Sequence, residues 1–401
     1  ASRGERGIVV SGRDMRSARA QMRHILGEQS ATIASTAAEP GFTPNVTFTR
    51  LGEHQLYTAI IAPSPESPYA HAEKLPVLMK PYGGPGFQQV IDQLPARPAA
   101  ISFAFPGPAD YPNGIIDNMG NLPAYRGGVA LGAFLQNQFD MPVFINNDGD
   151  LFAYGEAIAG FLPSVNQMLQ AAGSPKRFKN LFGITLGTGF GGGLVTDGRL
   201  YVGDNSNAGE IWITRNKHYP NCFAEEGASI RAVRRSYARM AGIDPAEAPE
   251  PKEIYEIGLG NKPGHKDAAL HAFAEMGEVI GDALANAITL LDGLIVIGGG
   301  LSAAYPMFID AVLAEMNGTI ESCTGQKLPR IVQKCFDLEN PEQRQQFITG
   351  QVKSIQVPGT QTTLLYDALK RVGIGRSVLE TSRAVSVGAY AHAVSQLDQQ
   401  K

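Results

Sequence analysis

The sequence predicts an α/β protein built from two α/β domains that face each other across a cleft. Apolar segments of strand length alternate with helical segments along the chain. In both halves, such strands end in glycine-rich or Asp-rich turns that lead into helices. The length of 401 residues is enough for two domains with cores of their own.

The composition is typical of a soluble globular chain, with 43% hydrophobic and 18% charged residues. A net charge of −4 argues against nucleic acid as the main partner. Three well-separated cysteines, Cys222, Cys323 and Cys335, indicate a reducing compartment, so we expect a cytoplasmic location. No apolar run approaches the roughly 20 residues of a membrane helix. The N-terminal residues lack the apolar core of a secretory signal, and we expect no membrane association.

The densest motif runs from Leu181 to Leu200 and places five glycines between two apolar stretches. Leu181–Leu186 is typical of a buried strand, and Asp197-Gly198 is a hairpin-turn signal. We therefore predict strand, glycine turn, strand, tight turn and strand. Glycine lets backbone N–H groups approach a ligand closely, and a cluster of them forms an anion site. From these residues alone, a phosphate cradle and an ordinary glycine-rich hairpin are equally open.

Two more predicted strands end in turns that are typical of catalytic or ligand-binding sites. The strand at 142–146 ends in Asn146-Asn-Asp-Gly-Asp150 and is followed by a helix to Gly160, and open α/β sheets place their sites at such strand ends. Asp148 is either a functional carboxylate or the N-cap of that helix. The strand at 293–300 ends in three glycines before a helix, which indicates an anion or nucleotide site or else a plain strand-to-helix turn.

Hydrophobic spacing and turn residues predict the remaining elements. Helices are expected at residues 13–27, 88–94, 129–139, 225–240, 266–291 and 385–395, and one short helix within 249–263. Further strands are expected at residues 45–50, 55–62, 99–105 and 211–213.

These motifs, taken in order, resemble the ROK group of sugar kinases and sugar-responsive repressors over residues 80 to 395. The resemblance implies two actin-like ATPase (ribonuclease H-like) domains facing a central cleft, as in the actin/hexokinase superfamily. One domain would comprise residues 1–147, with an atypical N-terminal extension and a completing helix at 380–401, and the other residues 148–379. The matching stretches are Phe105-Pro-Gly-Pro108, Gly120-Asn-Leu-Pro123, Asn147-Asp148, Leu186-Gly-Thr-Gly-Phe-Gly-Gly-Gly193, Ala208-Gly-Glu-Ile211, 225–229 and Ile295-Val-Ile-Gly-Gly-Gly300.

The resemblance also implies roles for individual residues. Asp148 would be the general base that takes the proton from the attacking sugar hydroxyl. Asn121 and Asn147 would hydrogen-bond sugar hydroxyls, with the Gly107 backbone nearby. Glu210 and Glu225 would also face the sugar, although glutamates are usually solvated surface residues. ATP and Mg²⁺ would be required. The phosphates of ATP would bind at Gly187, Thr188 and Gly189. The adenosine would be flanked by Gly298, Gly299 and Gly300.

Three departures from the family pattern bear on the activity. The family's first phosphate turn, Asp-X-Gly-Gly-Thr, is missing, and the nearest equivalent at residues 46–61 lacks its acidic start and paired glycines. Gly-Glu-Ile is followed by Trp212-Ile213 in place of Gly-His. The family's zinc-binding cysteines are reduced to Cys222, with His218 nearby, so we expect no zinc.

The leading hypothesis is an ATP-dependent kinase for a hexose or an amino sugar, with Asp148 as general base. The alternative is a catalytically impaired ROK-like sugar sensor or regulator that lacks the first phosphate motif. A vestigial cleft without function is a third possibility. The resemblance also suggests a homodimer.

Overall fold

The computed structural model describes residues 98–117 and 125–399 and, ahead of them, six strands between Ser2 and Ala62. The chain divides into two compact units, Ala1–Pro76 with Lys80–Ala99 and Val77–Met79 with Ala100–Lys401. The domain boundaries predicted at residues 147 and 379 stay predictions. Within the described residues, no helix is long and apolar enough to span a membrane.

The first unit contains an antiparallel sheet and a hairpin. The sheet is formed in chain order by β1 (Ser2–Gly4), β2 (Gly7–Arg13), β3 (Ala20–Leu26) and β4 (Gln29–Ile33). The hairpin pairs β5 (Asn45–Leu51) with β6 (Leu56–Ala62), which confirms the two predicted strands. The helix predicted at residues 13–27 is wrong. A spacing of four residues fits strand alternation as well as a helical turn, and the alternation prevailed.

The second unit opens with two parallel strands that end at the same edge. β7 (Ile101–Ala104) pairs with β11 (Val143–Asn146), which confirms both predicted strands. Between them lie β8 (Ala109–Asp110), β9 (Ile115–Ile116) and β10 (Val129–Ala130) in a small antiparallel sheet, followed by helix α1 (Leu131–Phe139). Because β7 and β11 end together, the segments that follow them lie side by side.

A six-stranded sheet forms the centre of the second unit. Its order is β14-β13-β12-β15-β21-β18, in which β12, β15, β21 and β18 run parallel and β13 runs antiparallel to its neighbours. The strands are β12 (Leu181–Leu186), β13 (Phe190–Thr196), β14 (Arg199–Tyr201), β15 (Leu294–Gly298), β16 (Thr319–Glu321), β17 (Lys327–Pro329), β18 (Lys334–Asp337), β19 (Val352–Gln356), β20 (Thr363–Asp367) and β21 (Arg371–Arg376). β16 pairs with β17 and β19 with β20 in separate hairpins.

Helices cover both faces of this sheet. They are α2 (Asp148–Ala159), α3 (Phe161–Ala171), α4 (Ile230–Ala241), α5 (Pro251–Leu259), α6 (Lys266–Leu291), α7 (Tyr305–Met316), α8 (Pro341–Thr349) and α9 (Thr381–Gln399). Ile295 and Ile297 of β15 belong to the core formed with α6 and α7. Leu294 and Val296 belong to the core formed with α2 and α3. The strand is therefore apolar on both faces, as its sequence predicts.

The other predicted elements agree with the structure to different degrees. The long helix predicted at 266–291 is confirmed at both ends. The strand predicted at 211–213 is a short 3₁₀ helix, Ile211–Ile213. The helix predicted at 225–240 is a 3₁₀ turn, Ala224–Glu226, followed by α4. The closing helix is longer than predicted, and the helix predicted at 88–94 lies outside the described residues.

Candidate active site

Helix α2 presents its first turn at the carboxyl end of β11. Asn147 is extended, and its Oδ1 accepts a hydrogen bond from Gly149 N at 2.7 Å, so Asn147 is the N-cap. Asp148 is the first helical residue and is exposed, although its Oδ1 also lies 3.0 Å from Gly149 N. Since Asn147 caps the helix, the carboxylate of Asp148 remains accessible to a ligand.

Gly107 lies directly beside this turn. A Cβ on Gly107 would lie 2.9 Å from Tyr111 Oη and 3.0 Å from Asn147 Nδ2. The Tyr111 hydroxyl donates to Phe105 O at 2.9 Å and accepts from Asn147 Nδ2 at 3.3 Å. Burial, together with nearby carboxylates such as Asp148, raises the pKa of Tyr111, so its hydroxyl stays protonated. The structure thus brings Gly107 and Asn147 together through Tyr111, a residue that the sequence analysis missed.

Four glycines allow three backbone segments to meet at the first turn of α2. A Cβ on Gly193 would lie 2.5 Å from Gly149 O and 2.6 Å from Asp150 Cα. A Cβ on Gly192 would lie 2.5 Å from Gly209 O, and one on Gly149 would lie 2.8 Å from Gly192 O. Any side chain there would push α2, β13 and the loop at 203–210 apart. The glycine hairpin is therefore fixed against the helix that carries the candidate base.

Asp150 adds a buried carboxyl to this turn. It is only 2% exposed, and its Oδ1 has no hydrogen-bond partner within the described residues. Burial, followed by the charges of Glu210 and Asp148, holds the pKa of Asp150 well above its usual range. The sequence offered only an acid in a helical first turn, which is usually exposed. Its burial depends on the glycine contacts with β13, which hydrophobic periodicity does not reveal.

Glu210 lies near the buried Asp150, whose pKa its charge raises. It precedes the 3₁₀ helix Ile211–Ile213 and is half-buried. Its Oε2 accepts a hydrogen bond from Trp212 Nε1. The contacts of the preceding Gly209 with Gly192 and Gly193 place Glu210 beside the first turn of α2, and its predicted contact with the sugar stays a prediction.

The glycine hairpin has the predicted strand, turn and strand order. Residues 187–189 form the turn between β12 and β13. Within the described part of the chain, the N–H groups of Thr188 and Gly189 have no hydrogen-bond acceptor. A Cβ on Gly187 would meet nothing within 4 Å, so the turn is open to solvent on that side. Free N–H groups in an open glycine turn suit an anion such as phosphate.

The triple glycine lies next to this turn. Thr185 of β12 is opposite Gly298 of β15 in a parallel register. Gly299 has φ of 85° and approaches the Leu186 backbone so closely that a Cβ there would clash. Gly300 is exposed and has open space around it. The two sets of predicted nucleotide-binding glycines are thus neighbours at the carboxyl ends of adjacent strands.

Glu225 lies against the phosphate hairpin. Its Oε2 accepts from Phe190 N at 3.0 Å, and its Oε1 lies 2.7 Å from Arg231 Nη2. Arg231 Nη1 also donates to Thr188 O at 3.4 Å. The predicted sugar contact of Glu225 stays a prediction. Asn121, the other predicted sugar contact, lies outside the described residues.

Fold and site together define a class of protein. A mostly parallel sheet ends on two glycine turns suited to phosphate, and a helix beside them begins with an accessible aspartate. This is the arrangement of α/β proteins that bind a phosphate-bearing ligand at the carboxyl ends of their strands.

Comparison with known proteins gives the particular family. The model of the ROK family matches residues 85–337, so the chain belongs to the ROK family. This confirms the predicted family and fold.

Two solved structures illustrate the likeness. A glucokinase from Parabacteroides distasonis is 42% identical, with a TM-score of 0.72 and 98% of each chain covered. A putative sugar kinase from Cytophaga hutchinsonii is 17% identical, with a TM-score of 0.52, over 93% of this chain and 96% of that one. The second shows a common fold alone.

Among curated relatives, the N-acetyl-D-glucosamine kinase of Vibrio cholerae is 30% identical over 217 residues. The aligned part is 50% of this chain and 65% of that relative, which is less than two thirds of its length.

Proposed function

We propose that this protein is a sugar kinase that transfers the γ-phosphoryl group of ATP to a hydroxyl of a hexose or an amino sugar. One observation carries the proposal. The helical turn that carries the exposed Asp148 is held by glycine contacts against a hairpin whose turn offers free N–H groups. The names of its relatives, glucokinase and N-acetyl-D-glucosamine kinase, support the same reaction.

In the proposed reaction, the sugar lies beside the first turn of α2. Asn147 and Glu210, with Asn121 and Glu225 as further candidates, orient its hydroxyls. The proton of the attacking hydroxyl passes to Asp148, and the hydroxyl oxygen forms the new bond to the γ-phosphorus. The bond from that phosphorus to the bridging oxygen breaks and ADP leaves. Such transfer depends on positioning and charge stabilisation, so the fixed backbone of this turn matters most.

The residues present fit the phosphates of ATP. Thr188 and Gly189 would donate backbone hydrogen bonds to them, and the open space at Gly187 and Gly300 admits them. Gly298 and Gly299 would flank the adenosine. Among the described residues, no group of three His, Cys, Asp or Glu side chains is placed to hold a metal ion. Mg²⁺ commonly binds through one or two carboxylates together with substrate phosphates, so we propose that it arrives with ATP and neutralises phosphate charge.

The second candidate is a sugar sensor that has lost catalysis. It is favoured by residues 46–61, which are the nearest equivalent in position to the family's Asp-X-Gly-Gly-Thr turn and lack its acidic start and paired glycines. In either case we propose a cytoplasmic homodimer, which light scattering tests directly.

The test combines turnover with binding. ADP release is measured with MgATP and a panel of hexoses and amino sugars, using wild type, Asp148→Asn and the exposed control Asp310→Asn. We expect Asp148→Asn to lose turnover by a factor of about 10²–10⁴, because Asn cannot accept the proton. The sugar should still raise the unfolding midpoint of that variant.

Three other outcomes decide against parts of the proposal. Normal turnover in Asp148→Asn contradicts the assignment of the base. A sugar-induced midpoint shift in wild type with neither MgATP binding nor turnover favours the sensor. No shift with any sugar or nucleotide refutes both candidates.

A further inference from the structure

Trp212 is the only tryptophan of the chain, and it contacts a carboxylate of the candidate site. Its indole N–H donates to Oε2 of Glu210, two residues earlier across the 3₁₀ turn. Its ring packs edge-on against Phe223, with 5.6 Å between the centroids and an interplanar angle of 85°. Trp212 also packs against the core formed with α6 and α7. Phe223 and the core therefore hold the indole ring, and its N–H is directed to Glu210.

The other oxygen of Glu210 is available. Within the described residues, no group donates a hydrogen bond to Glu210 Oε1. Gly209, the residue before Glu210, packs against the backbone of Gly192 and Gly193, which itself meets the first turn of α2, so Glu210 lies beside that turn. The charge of Glu210 also raises the pKa of the buried Asp150 in that turn. A carboxylate with one oxygen held by the protein and the other without a protein donor is suited to accept a hydrogen bond from a ligand hydroxyl.

We propose that Trp212 is a positioning residue, whose N–H holds the Glu210 carboxylate so that Oε1 accepts a hydrogen bond from a sugar hydroxyl. The inference rests on the proposed sugar-binding function. Trp212 itself does not touch the sugar. Without the indole N–H, the Glu210 side chain would have to be ordered by the sugar, which costs binding free energy but leaves the chemical step unchanged.

A pair of variants separates the N–H from the ring packing. Trp212→Phe keeps an aromatic ring and removes the donor. We expect its KM for the sugar to rise about tenfold, as for the loss of one hydrogen bond to a charged group, while kcat stays within about twofold and the KM for ATP is unchanged. Phe223→Leu keeps the donor and removes the ring contact. It should lower the unfolding midpoint without the same rise in sugar KM.

Intrinsic fluorescence gives a readout that needs no turnover. Because Trp212 is the sole tryptophan, its emission reports on Glu210, and sugar binding should change it in wild type. In Glu210→Ala, with the indole N–H left without its acceptor, the same sugar concentration should give no change.

The outcomes are distinct. Trp212→Phe with an unchanged sugar KM overturns this inference alone and leaves the kinase standing. If Trp212→Phe lowers kcat and the midpoint as strongly as it raises KM, the residue is structural and the inference fails. If no sugar changes the fluorescence emission or the unfolding midpoint of the wild-type protein, the inference and the proposed function are both refuted. Sugar-responsive emission without ATP turnover refutes the kinase but supports the position of Trp212.

Discussion

The backbone contact between β13 and α2 makes Gly193→Ala the most informative single substitution. The added Cβ would lie 2.5 Å from Gly149 O, whereas an ordinary van der Waals contact begins near 3.4 Å. One of the two segments therefore has to move by about 0.9 Å. The atoms that this Cβ would meet, Gly149 O and Asp150 Cα, belong to the backbone of α2, so the movement has to be taken up by α2 or by the sheet.

This displacement predicts two separate effects. Overpacking of a tight contact costs about 1–3 kcal/mol, so the free energy of unfolding should fall by that amount. A shift of about 1 Å in the base relative to the phosphate site should lower kcat about a hundredfold. Denaturant unfolding measures the first effect and ADP release measures the second.

Gly187→Ala in the same hairpin is the matched control for stability. Its Cβ would meet nothing within 4 Å, so its free energy of unfolding should match that of wild type. A Gly193→Ala protein with wild-type stability and turnover would show that α2 is not held against the hairpin as described, and the reasoning about the site would fail.

Two further substitutions test buried carboxyls. Asp150→Asn removes a group whose pKa is raised by folding, so wild type loses stability relative to the variant as pH rises from about 4, the usual value of an aspartate. The variant should therefore be relatively more stable at pH 8 than at pH 4 by denaturant unfolding, and an equal difference at both pH values contradicts this. Glu156→Gln should cost about 1–3 kcal/mol, because Oε1 accepts from Ser377 Oγ at 2.6 Å and Leu379 N at 3.0 Å. Thermal unfolding measures this loss of stability, with the exposed Glu247→Gln as the control. Equal unfolding midpoints in the two variants would refute the stabilising role of Glu156.

The sequence predicted the parts of the fold that depend on short-range pattern. The strand β15 is apolar throughout, and β12 is apolar except for Thr185, because both faces of the sheet are covered. The helix α6 shows helical periodicity over its whole length. The two glycine turns at strand ends were predicted correctly because a strand that ends in glycine is a local signal, and their nucleotide-binding role stays a proposal. The prediction of a helix at 13–27 was wrong because the same spacing of apolar residues also fits a strand.

The parts of the site that escaped prediction depend on long-range packing. Tyr111 and Asp150 are 39 residues apart in sequence, and nothing local marks either as part of a site. Asp150 is buried where Gly193 lets β13 approach its backbone. Trp212 lies in a run of three apolar residues that suggests a strand, whereas the backbone forms a 3₁₀ turn that directs its N–H to Glu210. The roles expected for Asn121 and Glu225 stay predictions.

Helix α2 is held by backbone on two sides. Gly193 meets it on one side, and on the other Gly155 and Gly388 bring α2 and α9 into direct main-chain contact at Ala384 and Leu151. The framework of the site is thus specified by residues without side chains, while its chemistry belongs to a few side chains that do not support the framework. New substrate preferences could arise by exchanging those few groups, whereas the glycines would tolerate almost no change. A substitution at Gly193, Gly155 or Gly388 should therefore displace the helix itself, whereas an exchange of Asp148 should leave the helix in place.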